Sequence, residues 1–217
     1  MEKLQKGKVL FEQQEYYDAI IELNEFLENN ANNADALYVR ALCYRKTVDY
    51  EKSIVDFTAI LQRLPDEATL LCDRGISYFE NKNIELALQD MDKAVELEPQ
   101  NPYRYSSRAY IRANVDIEGA IADYEKAIEL DPRDEISLNN LGLLQENKGK
   151  MKAAKHNFKK ADAISGYSVK KQDSIKPGEK IHNNETSLTK MMLSVFTSKK
   201  TRQEYFKFLF AIFRKGD

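Results

Sequence analysis

Several residue types are scarce in this chain of 217 residues, and each shortage narrows what the protein can be. It has no tryptophan, two histidines, two cysteines, five prolines and eight glycines. Neither His156 nor His182 has a recurrent Ser, Cys or carboxylate partner, so neither a triad nor a metal cluster is visible. Cys43 and Cys72 show no metal or redox spacing, and we expect reduced, buried thiols. The composition therefore predicts a protein that is not an enzyme and binds no cofactor.

Long apolar runs are also missing. The start MEKLQKGK is not followed by an apolar stretch, so no signal peptide is visible. The most apolar segment, near the C-terminus, is short and interrupted by Lys207 and Arg214, which argues against a bilayer span. Charged residues make up 31% of the chain, and the mean hydropathy is −0.60. We therefore expect a soluble, cytoplasmic protein.

What the chain does have is a repeat with a period of 34, 34, 34 and 33 residues. The period is marked by a small residue at Gly7, Ala41, Gly75, Ala109 and Gly142. A second small residue follows at Ala19, Ser53, Ala87, Ala120 and Ala154. Helix-breaking prolines close three of the units, at Pro65, Pro99 and Pro132. A fixed period of this length predicts a solenoid, whose long surface favours binding over catalysis.

These positions resemble the tetratricopeptide repeat family. Its unit carries a large apolar residue, Gly or Ala and an aromatic on a first helix, then Ala, an aromatic, Ala and Pro on a second. The third unit shows the pattern most fully, as Leu71, Gly75, Tyr78, Ala87, Met91, Ala94 and Pro99. The resemblance implies an all-α superhelix, or solenoid, of about five helix hairpins with a concave peptide-binding face.

The domain organisation follows from where the repeat stops. Residues 1–168 hold the five repeats, 169–186 form a polar linker, and 187–217 form an amphipathic, aromatic helical segment. We expect helix pairs at 3–31, 34–64, 68–98, 102–131 and 135–165, with no strand. In the fourth unit Ala109 and Ala120 are 11 residues apart instead of 12. This predicts a tighter turn between its helices, around residues 114–116.

One charged pair of positions recurs with the repeat. An arginine precedes the Gly or Ala in units two to four, and an aspartate precedes the second-helix aromatic or Met91. They are Arg40, Arg74 and Arg108, and Asp56, Asp90 and Asp123. Unit five has Leu141 and Asn157 at these positions, so both charges disappear together. We expect each arginine to pair with a carboxylate inside its own unit, with the preceding unit as the alternative. The pairs could be structural staples or a ladder that grips an acidic ligand.

The resemblance also implies that first helices line the concave groove. Offsets from the Gly or Ala give Lys8, Phe11, Tyr38, Leu42, Arg45, Ile76, Phe79, Ser106, Tyr110, Asn139 and Leu143 as partner-binding residues, beside Leu4 and Cys72. Some family members hold a chaperone's terminal carboxylate with Lys, Asn and Arg side chains. Here the matching places include Leu4, Val39 and Asp73, so we expect no such clamp. An aromatic groove in an acidic surround suits an amphipathic or basic, apolar segment. Alternatively, several of these residues merely pack between hairpins.

The two ends of the chain differ in charge. Residues 148–217 contain 17 Lys and Arg against 6 Asp and Glu, whereas residues 1–147 contain 16 against 29. A basic tail can indicate nucleic-acid or membrane binding, or simply complement the acidic repeats. The last helix is predicted to be buried, on the fifth unit or on a partner chain. Its apolar residues are Tyr205, Phe206, Phe208, Leu209, Phe210, Ile212 and Phe213.

Taken together, the sequence predicts a scaffold or adaptor for protein–protein interaction that binds a peptide or helix in its groove. Two alternatives stay open. One is a self-associating structural protein, such as a homodimer formed through the C-terminal helices. The other is a membrane-surface or nucleic-acid adaptor that uses the basic C-terminal region.

Overall fold

The computed structural model describes residues 2–166, which form ten helices and, within that range, no strand. The first helices of the five units are α1 (Glu2–Glu12), α3 (Ala34–Lys46), α5 (Ala68–Glu80), α7 (Pro102–Arg112) and α9 (Glu135–Asn147). The second helices are α2 (Tyr16–Leu27), α4 (Tyr50–Leu61), α6 (Ile84–Leu97), α8 (Ile117–Leu130) and α10 (Met151–Ser165). Each hairpin packs on the next, which confirms an all-α solenoid. The predictions for residues 169–186 and 187–217 lie outside the described residues.

Short polar side chains fix where most of these helices begin. Six helices have an Asn or Asp that accepts a hydrogen bond from a backbone N–H of the first turn, which satisfies an otherwise unpaired donor. These capping residues are Asn33, Asp49, Asn83, Asn101, Asp116 and Asp134. Pro102 occupies the first turn of α7, where its missing N–H costs nothing.

The repeated small residues lie where the two helices of a hairpin cross. Ala41 and Ala109 are completely buried. A Cβ on Gly142 would lie 2.5 Å from the ring of Phe158, and one on Gly75 would lie 3.0 Å from the terminal methyl of Met91. The small side chains therefore admit the large residue of the second helix, as ridge-into-groove packing requires.

The connection inside the fourth unit differs from the prediction. In the other units the first helix ends five residues after the small residue, and three residues follow before the second helix. Here α7 ends at Arg112, only three residues after Ala109, and four residues connect it to α8. The predicted tighter turn is therefore wrong: the deletion shortens the first helix and the connection becomes longer.

Backbone geometry explains why unit four has a shorter first helix and a longer connection. The three-residue connections each place their middle residue in the left-handed region, at Gln14, Val48, Lys82 and Gly149, with φ between 64 and 72°. The fourth unit has no positive φ in its connection. A left-handed residue reverses the chain sharply, so without one the chain needs an extra residue to turn.

Candidate functional site

First helices of successive hairpins lie next to one another and form a row. The first two contacts along it are between α1 and α3 and, through the hydrogen bond from Tyr38 to Asp73, between α3 and α5. Further along, α5 contacts α7, and Ala109 of α7 shares a buried cluster with Leu141 of α9. All the residues predicted to bind a partner lie on this row. The structure separates them into a buried set and a partly exposed set, and the two sets have different chemistry.

The buried set is held by a carboxylate of the next unit. Tyr38 is only 3% exposed, and its hydroxyl donates to Asp73 at 2.9 Å. Arg45 donates to the same carboxylate at 3.0 Å and to the Asp73 carbonyl at 3.2 Å. Asp73 is itself 5% exposed. Tyr38 and Arg45 therefore join unit two to unit three, and Leu42 is buried beside them on α3.

The partly exposed set is aromatic and acidic. The rings of Phe79 and Tyr110 meet edge to face, with centroids 5.4 Å apart. Burial and the nearby negative charge of Glu80 raise the pKa of Tyr110 to about 12. Burial, the charge of Glu80 and a hydrogen bond to it raise the pKa of Tyr50. We call these four residues, Tyr50, Phe79, Glu80 and Tyr110, the aromatic–acidic cluster.

The remaining predicted residues are scattered along the row. The Lys8 ammonium lies 2.7 Å from the Asp35 carboxylate, and the ring of Phe11 lies 5.8 Å from that of Tyr16. The hydroxyl of Ser106 donates to a backbone carbonyl of its own helix. Three others are half-buried on the row, namely Ile76, Asn139 and Leu143.

Sequence reasoning missed three residues of this face. Glu80 directly follows Phe79, but the offset rule selected only one residue per turn. Tyr50 starts a second helix, which the rule did not consider. Asp73 was seen only as unsuited to a carboxylate clamp, whereas it is the anchor for Tyr38 and Arg45.

The repeated charges form a ladder of bidentate ion pairs, each of which we call a rung. In each rung the Nε and Nη2 of an arginine donate to the two oxygens of one aspartate. The distances are 2.8 and 2.7 Å for Arg40, 2.8 and 2.7 Å for Arg74, and 2.9 and 2.5 Å for Arg108. The partners are Asp56, Asp90 and Asp123, each in the same unit as its arginine. Pairing inside the unit is confirmed, and the hydrogen bonds to Asp90 raise the pKa of Arg74.

The third nitrogen of each guanidinium, Nη1, forms a hydrogen bond to the preceding unit. Nη1 donates to a side chain 16 residues earlier, which is Asn24 for Arg40, Thr58 for Arg74 and Asp92 for Arg108. This third hydrogen bond staples each hairpin to its neighbour. The other two guanidinium nitrogens are occupied by the buried aspartate of the same unit. The ladder has little capacity left for an acidic ligand.

The ends of the ladder are modified. In unit one, Lys6 and Glu22 replace the pair and lie 2.6 Å apart on an exposed surface. In unit five, Leu141 takes the arginine position, and the Asn157 amide donates to Gln145 at 2.9 Å. The fifth unit therefore keeps the packing but has no charged rung.

Both cysteines are buried and free, as predicted. Burial raises the pKa of Cys43 to about 12 and that of Cys72 to about 11. Within residues 2–166, no group of His, Cys, Asp and Glu side chains is placed to hold a metal ion. In the same range no helix is both long and apolar enough to cross a membrane.

Comparison with protein families identifies the repeats. Models described as tetratricopeptide repeats match residues 4–68, 68–101 and 136–166, and a TPR repeat model matches residues 116–149. Together these matches cover well over half of the chain. The chain belongs to the tetratricopeptide repeat family.

Among known proteins, human tetratricopeptide repeat protein 13 is 36% identical over 67 residues, which are 29% of this chain and 8% of that protein. The chain therefore matches only a small part of that relative. Among solved structures, MamA residues 41 to the end, from Desulfovibrio magneticus RS-1, align with a TM-score of 0.67 at 21% identity, covering 80% of this chain and 99% of that one. YrrB, described as a TPR protein with an unusual peptide-binding site, aligns with a TM-score of 0.59 at 20% identity, covering 76% and 86%. These structures share the fold.

Proposed function

We propose that this protein is an interaction scaffold that binds a peptide or helix of a partner along the row of first helices. The observation that carries the proposal is the aromatic–acidic cluster. Here the rings of Phe79 and Tyr110 are partly exposed, and the Glu80 carboxylate lies near enough to raise the pKa values of Tyr50 and Tyr110.

The chemistry of the cluster defines the partner segment. Phe79 and Tyr110 offer apolar ring surface, which suits Leu, Ile or Met side chains of an amphipathic segment. Glu80 offers a negative charge beside rings, which suits a lysine or arginine through both charge attraction and cation–π contact. A segment with an apolar stripe flanked by basic residues fits both features.

The ion pairs made by cations on the first helices also favour a basic ligand over an acidic one. Lys8 is paired with Asp35, and Arg45 is bound to Asp73. The three ladder arginines are bound to their aspartates. An acidic ligand would have to compete with these carboxylates for every one of these cations, whereas a basic ligand meets Glu80 directly. The description of YrrB as peptide-binding is consistent with this use of the fold.

The proposal is tested with two synthetic peptides. The first is a fluorescein-labelled amphipathic helix with leucines on one face and lysines on the other, and the second has glutamates in place of the lysines. Fluorescence anisotropy at about 0.15 M salt limits non-specific attraction, because the Debye length is then about 8 Å. We expect the basic peptide to bind and the acidic one not to bind.

Variants locate the binding surface. Phe79→Ala should weaken binding of the basic peptide about tenfold, as removal of a central aromatic contact does. Glu80→Gln should weaken it about two- to fivefold. Glu96→Gln removes one exposed carboxylate from α6, away from the row, and should leave the affinity unchanged. Equal binding of both peptides, or equal effects of Glu80→Gln and Glu96→Gln, would contradict the proposal.

A further inference from the structure

The step from unit four to unit five contains an open cleft of about 300 Å³, between α8, α9 and α10. Its lining includes Glu125, Ile128, Leu141, Gln145, His156 and Asn157. None of these residues was predicted to bind a partner, although Leu141 and Gln145 lie on α9, a first helix. The cleft lies where a fourth rung of the arginine ladder would stand, because Leu141 holds the arginine position.

The spacing of the ladder assigns a role to Glu125. The Nη1 of each arginine donates to a side chain 16 residues earlier, and the residue 16 before Leu141 is Glu125. Its carboxylate therefore occupies the position of Asn24, Thr58 and Asp92 in the earlier steps. No lysine or arginine of residues 2–166 forms an ion pair with it.

The buried residues at the base of the cleft also occupy ladder positions. Leu141 is 4% exposed, and Gln145 and Asn157 are each 8% exposed. Asn157 stands in the aspartate position and donates its amide N–H to Gln145 at 2.9 Å. Its own amide oxygen receives no hydrogen bond from the described residues. Because Asn157 lines the open cleft, a donor on a ligand can reach this oxygen.

We propose that this cleft is a receptor for an arginine side chain of a partner protein, which completes the missing rung. The guanidinium donates to the Asn157 amide oxygen and to the Glu125 carboxylate, while its aliphatic stem lies over Leu141 and Ile128. Arginine fits better than lysine because its planar fork reaches two separate acceptors at once, as it does in each of the three built rungs.

The test uses the ¹⁵N-labelled full chain and three small probes, the Nα-acetyl methylamides of arginine, citrulline and lysine. Citrulline has the shape of arginine without its charge. We expect arginine to bind with a Kd on the order of millimolar and to shift the amide signals of residues 125, 141, 145 and 157. Citrulline should cause no shifts there, and lysine should bind more weakly. No shift with arginine at about ten times that concentration, or equal shifts with all three probes, overturns the proposal.

Three variants make the test specific. Glu125→Gln should weaken arginine binding about two- to fivefold, whereas Glu146→Gln, an exposed carboxylate on α9, should not change it. The double variant Leu141→Arg with Asn157→Asp supplies the chain's own rung and should abolish binding. If that double variant fails to fold, the comparison of Glu125→Gln with Glu146→Gln decides. Arginine binding that survives in a folded double variant, or a Glu125→Gln affinity equal to that of Glu146→Gln, contradicts the assignment.

Discussion

Units two to four and unit five solve the same packing problem in two ways. In units two to four, an arginine and a buried aspartate connect the two helices, and a third hydrogen bond from the arginine reaches the preceding hairpin. In unit five, a leucine and a hydrogen-bonded asparagine fill the same positions. The three-residue connection of unit five matches those of units two and three, although α10 begins after Lys150 without a side-chain cap.

The difference indicates that burial of the aspartate requires the arginine beside it. A buried aspartate without its arginine would be an uncompensated charge in a region of low dielectric, which proteins avoid. Losing both charges at once costs much less, because an apolar residue and a neutral amide carry no charge to desolvate, and the Asn157 amide donates to Gln145. What unit five loses is the polar link to the preceding unit, and the cleft beside Glu125 lies at this step.

The largest expected effect comes from breaking one rung on one side only. Arg74→Leu should lower the free energy of unfolding by about 3 kcal/mol, because Asp90 stays buried without its partner. Urea denaturation followed by circular dichroism measures the loss. Arg133→Leu, on an exposed connection, serves as the control and should change stability by less than about 0.5 kcal/mol. A loss no larger than that of the control would show that the rung does not stabilise the fold.

The small residue at the helix crossing should be less tolerant in unit five than in unit three. Gly142→Ala forces a Cβ against the rigid ring of Phe158 and should cost about 1–3 kcal/mol. Gly75→Ala meets the flexible end of Met91 at 3.0 Å and the Ala87 backbone carbonyl at 3.2 Å. Both contacts are looser than those at Gly142, and alanine favours the helix at both sites, so the change at Gly75 should stay within about 1 kcal/mol. Thermal or urea unfolding compares the two variants. Equal losses at both sites would contradict the packing account.

A smaller effect is expected at the connections. Val48 is a β-branched residue held at φ 68°, in the left-handed region. Val48→Gly should raise the free energy of unfolding by about 0.5–1 kcal/mol, because relief of strain exceeds the entropy that glycine adds to the unfolded chain. Val115→Gly lies in the four-residue connection, where no strain exists to be released. That control should instead lose a few tenths of a kcal/mol or more.

The cysteines report whether the ladder units open. Cys43 and Cys72 lie in units two and three, and burial raises their pKa values to about 12 and about 11. At pH 8 the native protein should therefore hold them as unreactive thiols, and a disulfide reagent such as DTNB should label neither within minutes. In denaturing urea both should react. Rapid labelling of the native chain at pH 8 would mean that these units open readily.

The sequence predicted the parts of the fold that repeat, because periodicity in the residues reflects periodicity in the structure. The ten helices lie where the pattern places them, and the within-unit arginine pairs followed from the joint loss of both charges at Leu141 and Asn157. The pattern could not say how unit four absorbs its deletion, since that depends on a backbone dihedral. It also missed the roles of Asp73 and Glu80, which arise from contacts between units.

For the candidate site, offsets from the small residue identified the correct helices. They did not separate residues that face a ligand from residues that face the next hairpin. Tyr38 and Leu42 are buried because unit three covers them, and this depends on how closely two hairpins stack. Phe79 and Tyr110 stay partly exposed, although the same rule selected them. Only the packed structure distinguishes the two cases.

The most direct test of the comparison is a double-mutant cycle on one rung. Arg74→Leu and Asp90→Asn are made singly and together, and urea denaturation gives the free energy of unfolding of each. The double variant removes both charges from unit three, as in unit five, so its loss should fall short of the sum of the single losses by at least about 2 kcal/mol. Single losses that add to the double loss within about 0.5 kcal/mol would show that the two charges act independently. That result would contradict the account of the ladder.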